Sequence, residues 1–261
     1  MPDVVEQPAA ATAQPGLAEL RRVAIVPALN EEVTVPRVID ELRAFDPGLD
    51  IVVVDDGSTD RTAAVAAAHG ARVLRLPFNL GIGGAVQTGF RFAFEGGYDL
   101  AVRVDGDGQH DPAQLAAVLA PVLRGEVDIA VGSRFAAAAA GPDGYRSSRS
   151  RRVGIRILAA VVSRIVGQRV TDTTSGFQAL NRSGIALFAR DYPHDYPEVE
   201  ATVMVFRHRL RFAEVPVTMR ERGGGRSSIT ALRSIYYMVK VLLAIFVGLF
   251  RRPDLPDEGP S

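Results

Sequence analysis

The sequence predicts an α/β protein built on a mostly parallel sheet with helices on both faces. Three observations lead there. Strand-like and helix-like segments alternate through the first half of the chain. The run DIVVVDDGS is continuously β-branched and closes on an Asp-Gly turn, the pattern of a strand buried on both faces. Of the 261 residues, 47% are hydrophobic, enough for a sizeable core.

The elements follow in order. RRVAIVPA is a short apolar strand, and EEVTVPRVIDELRAF places apolar residues at helical spacing. After the buried strand, DRTAAVAAAHG reads as a helix, with Ser58 or Thr59 as its N-cap and Asp60 in its first turn. ARVLRLP is a third strand, GIGGAVQTGFRFAFEGG a helix and YDLAVRV a fourth strand. PAQLAAVLAPVLRG is a helix with proline in its first turn, and VDIAVGSR is a fifth strand. The second half is less regular. AAAAAGPDGYRSSRSRR reads as a loop, VGIRILAAVVSRIVG as a basic amphipathic helix, and TDTTSGFQALNR as a turn entering a short strand. EVEATVMVFRHRL reads as a helix, RFAEVPVTM as a strand and RERGGGRSS as a basic glycine-rich loop. Residues 1–20 read as a disordered leader without signal-peptide features, 229–250 as an apolar helix and 251–261 as a polar tail.

Composition removes several functions. Formal net charge is zero, which argues against nucleic acid as a partner. There is no cysteine, so disulfides and thiolate metal sites are excluded.

Ligands of parallel α/β sheets sit beyond the carboxyl ends of the strands. Three polar clusters fall there: PALNEE, DDGSTD and DGDGQHDP. Asp105 and Asp107 can present two carboxylates to one side of a turn, as a hard cation such as Mg2+ or Mn2+ requires. A plain acidic surface turn explains that pair equally well. Asp111 reads as a helix N-cap ahead of Pro112, and His110 as a structural residue. Asp56 reads as an acceptor for a base or ribose. The glycines of NLGIGGAVQTG lack dinucleotide-fingerprint spacing and read as close-packing positions.

Taken together, VPALNEE, VVVDDGSTD, NLGIGGAVQTGF, DGDGQHDP, GSRF and DTTSGF resemble, in order and spacing, family 2 glycosyltransferases of the GT-A fold. EVPVTMRERGGGRSS is similar to an element of the dolichyl- and polyprenyl-phosphate sugar synthases, and the resemblance covers about residues 22–230. It implies a GT-A domain over residues 21–228. It implies that Pro27, Leu29, Asn30, Glu31, Val54, Asp56 and Gly81 bind the donor nucleotide, with Asp105 and Gly106. Asp105, Asp107 and Gln109 would hold Mg2+ or Mn2+ on the donor pyrophosphate. Asp107, Asp172, Arg134 and Arg222 would serve catalysis, and Arg134, Arg151 and Arg152 the acceptor phosphate. The chain departs from the family at Ser228, where a lysine is common.

The implied reaction moves a hexose or N-acetylhexosamine from a UDP- or GDP-sugar to polyprenyl phosphate, with inversion. A soluble or polysaccharide acceptor, or a non-catalytic nucleotide-sugar-binding subunit, are the alternatives. Arg146, Arg149, Arg151, Arg152 and Arg156 beside Val153, Ile157, Ala160 and Val161 suit an anionic membrane surface or a phosphate headgroup, and also a core helix with a solvated basic face. Residues 229–250 read first as an interfacial helix or one docking on a small membrane protein, second as a spanning helix and third as a buried core helix. The expected location is the cytoplasmic face of the plasma membrane, held peripherally, with oligomeric state left open.

Overall fold

The computed structural model describes residues 19–136, 149–194 and 197–220. Their strands are β1 (Arg22–Ala28), β2 (Asp50–Asp55), β3 (Arg72–Arg75), β4 (Leu100–Arg103), β5 (Ile129–Ser133), β6 (Gln178–Asn181) and β7 (Phe212–Pro216). They form one seven-stranded sheet in the order β3-β2-β1-β4-β6-β5-β7. All pairings are parallel except those of β6, which runs antiparallel to both β4 and β5.

Among the described residues seven α-helices flank the sheet: α1 (Val35–Phe45), α2 (Thr62–Ala68), α3 (Gly81–Glu95), α4 (Leu115–Leu123), α5 (Arg149–Val166), α6 (Arg182–Arg190) and α7 (Pro197–Arg207). Successive residues of a strand face opposite sides. In β1, Val23 and Ile25 therefore pack with Phe90, Val162, Ile185, Phe188 and Val199 of α3, α5, α6 and α7. Ala24 and Val26 pack with Ile39, Leu42, Ala66, Leu115 and Val118 of α1, α2 and α4. Burial on both faces is why the central strands read as unbroken apolar runs. The glycines of α3 serve contact: a Cβ on Gly89 would lie 2.3 Å from Ile25 Cγ2, and one on Gly83 2.3 Å from the Pro193 carbonyl.

Two expectations are corrected, the cap of α2 and the start of α5. α2 starts at Thr62, and neither Ser58 nor Thr59 caps it. Ser58 Oγ instead accepts the Asn30 amide, while Asp60 Oδ1 accepts the Thr62 amide. α5 begins at Arg149, inside the expected loop. Its buried face is Leu158, Ala159 and Val162, whereas Ile157 and Ala160 are exposed beside Arg156. α6 was not expected at all. Asn181 is its N-cap, accepting the Ser183 and Gly184 amides, and Ile185, Phe188 and Ala189 bury one side. Asp111 does cap a single 3-10 turn, Pro112–Gln114, that leads into α4.

Candidate active site

The loops after β1, β2 and β4 converge on one rim and lock together. Asn30 Oδ1 accepts the Thr59 amide, Thr62 Oγ1 accepts the Glu31 amide, and Asp60 Oδ2 accepts the Glu32 amide. Asn30 takes a left-handed backbone, φ 55°. Pro27 sits where the β1–β4 register ends, so its missing N–H breaks no ladder bond. Its carbonyl accepts the Gly106 amide at 3.1 Å, which staples the acidic turn to the β1 loop. A Cβ on Gly106 would stand 3.1 Å from both Pro27 O and Ala28 Cβ.

Asp56 lies beneath this rim. Its Oδ1 accepts the Leu80 amide at 2.7 Å. Burial pushes its pKa up, and the Leu80 and Gly81 amides partly offset that. The rim loop of β3 is thus tied to the carboxylate expected to meet the nucleoside.

The Asp105–Asp107 turn is held from several sides. Asp107 is buried, 7% exposed, and its Oδ1 accepts the Gln109 amide. Gly108 takes φ +74°, and its carbonyl meets Arg37 Nη2 at 3.4 Å. The Gln109 carbonyl accepts the Arg220 amide, and Arg220 pairs with Glu41 and Asp111, 2.7 Å to each. His110 stacks on Phe177 with centroids 5.0 Å apart, and its Nδ1 accepts the Asp105 amide, so Nε2 carries the proton. Burial holds the His110 pKa below its ordinary value, against the pull of Asp105 and Asp107. Asp105 Oδ1 receives Arg103 Nε at 3.2 Å. Two carboxylates on one turn form a hard-oxygen donor set suited to Mg2+ or Mn2+. Among the described residues no group of three His, Cys, Asp or Glu side chains gathers to hold a metal.

A second wall comes from the end of β5. Arg134 Nε and Nη2 reach the two oxygens of Asp172 at 2.7 and 2.8 Å, with side chains 7% and 0% exposed. Glu214 of β7 secures this loop: its carboxylate accepts the Thr171 amide, Thr171 Oγ1 and the Asp172 amide within 2.7–2.9 Å.

The structure therefore brings Pro27, Asn30, Glu31, Asp56, Gly81, Asp105, Gly106, Asp107 and Gln109 to one end of the sheet, at the loops after β1 to β4. Leu29 is also there, 40% exposed. Val54, near the end of β2, has a fully buried side chain within the core cluster. Arg151 and Arg152 lie in α5, with side chains outside the described residues, as are Arg146, Arg222, Ser228 and residues 229–261 entirely. Sequence reasoning missed Arg103, Glu214 and Arg220. A charged residue inside the apolar run LAVRV was the available signal for Arg103.

A family model described as glycosyl transferase family 2 matches residues 23–187. The chain is 32% identical over 225 residues to undecaprenyl-phosphate mannosyltransferase of Micrococcus luteus, covering 81% of this chain and 88% of that protein. It is 29% identical over 213 residues to UDP-N-acetylglucosamine–dolichyl-phosphate N-acetylglucosaminyltransferase of Methanococcus voltae, covering 74% and 83%. Among solved structures it is similar to glucosyl-3-phosphoglycerate synthase from Mycobacterium tuberculosis in complex with Mn2+, UDP and glucosyl-3-phosphoglycerate. The TM-score is 0.67 at 25% identity, covering 88% of this chain and 80% of that one. The same synthase is also solved with Mg2+ and UDP.

Proposed function

The chain belongs to glycosyl transferase family 2 and has the GT-A fold, and from that premise we propose that it moves a hexose or N-acetylhexosamine from a UDP- or GDP-sugar to polyprenyl phosphate. The observation that carries the reading is the staple between Pro27 O and the Gly106 amide, 3.1 Å. It joins the loop expected to hold the nucleoside to the carboxylates expected at the pyrophosphate.

On this reading Asp56 and the β1 loop orient the nucleoside, and Asp105 and Asp107 hold the divalent cation. Such an ion, when bound, neutralises the leaving diphosphate. A phosphate acceptor is largely ionised near neutrality, since a phosphomonoester loses its second proton near pH ~6. A strong general base is then unnecessary. That agrees with Asp172, whose two oxygens are already taken by Arg134. It orients the guanidinium and does not deprotonate the acceptor. Direct displacement inverts the anomeric carbon; retained configuration in the product would refute it.

α5 exposes Arg156 and Ile157, and no helix among the described residues is long and apolar enough to cross a membrane. We assign peripheral contact with an anionic membrane surface to this helix.

Radiolabelled UDP- and GDP-sugars incubated with polyprenyl phosphate test the function. Label from at least one donor should enter the organic phase. The synthase similar in structure holds a water-soluble product, so 3-phosphoglycerate is included as a second acceptor. Label confined to that aqueous product would replace the lipid acceptor with a soluble one.

A further inference from the structure

Arg103 is the largest fully buried side chain among the described residues, 1% exposed. A guanidinium cannot lose its charge in a protein, so burial demands counter-charge and hydrogen-bond partners. It has both. Nε donates to Asp105 Oδ1 at 3.2 Å, Nη2 to Glu198 Oε1 at 2.9 Å and Nη1 to Tyr192 Oη at 3.1 Å. Gly176 closes the remaining side, where a Cβ would come within 2.7 Å of Nη2. Asp105 is thus one of two carboxylates that share a single buried cation.

The sharing has a consequence for the acidic turn. With Asp105 as its sole counter-ion, Arg103 would neutralise the first of the two carboxylates. Glu198 supplies a second carboxylate to the guanidinium. Among these four described side chains, Asp105, Asp107 and Glu198 against Arg103 leave two formal negative charges, which match one divalent cation.

We propose that Arg103 and Glu198 form a positioning pair that fixes the pose of Asp105 and keeps the acidic turn at the charge a divalent cation needs. The inference rests on the metal role given above to Asp105 and Asp107. Tyr192 contributes a neutral hydrogen bond and no charge. Glu198 approaches from α7, so the pair also ties that helix to the acidic turn.

Titration of the folded protein with Mn2+, with and without UDP, tests this by electron paramagnetic resonance of the free ion. Glu198→Gln keeps the shape and removes the charge. Its dissociation constant for Mn2+ should rise about tenfold, the order expected for losing one nearby charge in a partly screened site. In the transfer assay the apparent KM for Mn2+ should rise in parallel, while kcat at saturating Mn2+ falls less than about threefold. Glu198→Asp retains the charge one methylene further back and should raise the constant about threefold. Tyr192→Phe should stay within about twofold. A lowered Tm in Glu198→Gln with wild-type Mn2+ affinity would mean a purely structural role and overturns the proposal. If Glu198→Gln does not fold, the other two variants decide: equal shifts from Glu198→Asp and Tyr192→Phe overturn the charge argument. Wild type and Asp107→Asn are measured alongside. Absence of Mn2+ binding by wild type removes both the metal reading and this inference. Binding that Asp107→Asn loses but Glu198→Gln retains removes the inference alone.

Discussion

Replacing Asp172 by Asn separates an orienting carboxylate from a catalytic base. The Asp172 side chain is fully buried and Arg134 is 7% exposed. Oδ2 accepts Arg134 Nε at 2.7 Å and the Arg134 amide at 3.1 Å. Oδ1 accepts Arg134 Nη2 at 2.8 Å, the Thr174 amide at 3.2 Å and Thr174 Oγ1 at 3.1 Å. In Asp172→Asn one acceptor becomes an NH2 donor facing other donors, and the guanidinium stays buried without its counter-charge. Removing one partner of a buried pair costs about 3–5 kcal/mol. The backbone bonds to Glu214 persist, which favours the low end, about 3 kcal/mol. For a domain of this size that is roughly 6–12 °C in Tm. Differential scanning calorimetry measures it. The double variant Arg134→Met, Asp172→Asn should recover part of the loss, because it leaves no orphaned charge. The pH profile of kcat/KM supplies the functional half. An orienting Asp172 predicts a drop of equal size at every pH. A Tm within about 1 °C of wild type would refute the energetic argument. Disappearance of the acidic limb in the variant would refute the orienting role and restore Asp172 as a base.

Three further predictions concern the turn, the rim and acid stability. Asp107→Asn should abolish transfer that depends on Mg2+ or Mn2+ while circular dichroism stays native; undiminished turnover contradicts the metal role. Gly57→Ala forces a residue at φ +75° and puts its Cβ 2.8 Å from the Asn79 amide nitrogen. It should cost about 1 kcal/mol from the backbone alone and raise the donor KM, because the Leu80–Asp56 bond shifts with that loop; a donor KM equal to wild type counts against it. Asp128 is held at a pKa of about 2, first by its hydrogen bonds from Arg211, against an ordinary value of 3.8. The folded value lies below the unfolded one, so this bond stabilises the protein fully above about pH 4 and is lost as pH falls towards about 2. Asp128→Asn should therefore lose about 1 kcal/mol at neutral pH, discounted for screening, and only a small fraction of that at pH 2. Equal losses at both pH values in urea titrations would contradict the assignment.

The rim was legible because three strands announce themselves as apolar runs that end in polar clusters. Their carboxyl ends therefore had to meet. What stayed hidden depends on contacts distant in the chain. β6 is only QALN, and nothing local says that it enters the sheet antiparallel between β4 and β5. Arg103 looks like a misplaced surface residue in LAVRV. It is tolerated because Tyr192 and Glu198 arrive 89 and 95 residues later. α6 could have been found: Asn181 followed by Ile185, Phe188 and Ala189 is a capped helical pattern.

Two of the arginines at the rim are committed before any substrate arrives, Arg103 to Asp105 and Glu198, Arg134 to Asp172. Commitment makes them preorganised charges, whose orientation costs nothing during the reaction. It also limits them. A phosphate approaching Arg134 meets a guanidinium whose Nε and Nη2 are already bonded. A phosphate that took Nε and Nη2 together would displace Asp172 and lose two short charge-assisted bonds. Arg134 is therefore better suited to fixing a phosphate's position than to supplying most of its affinity.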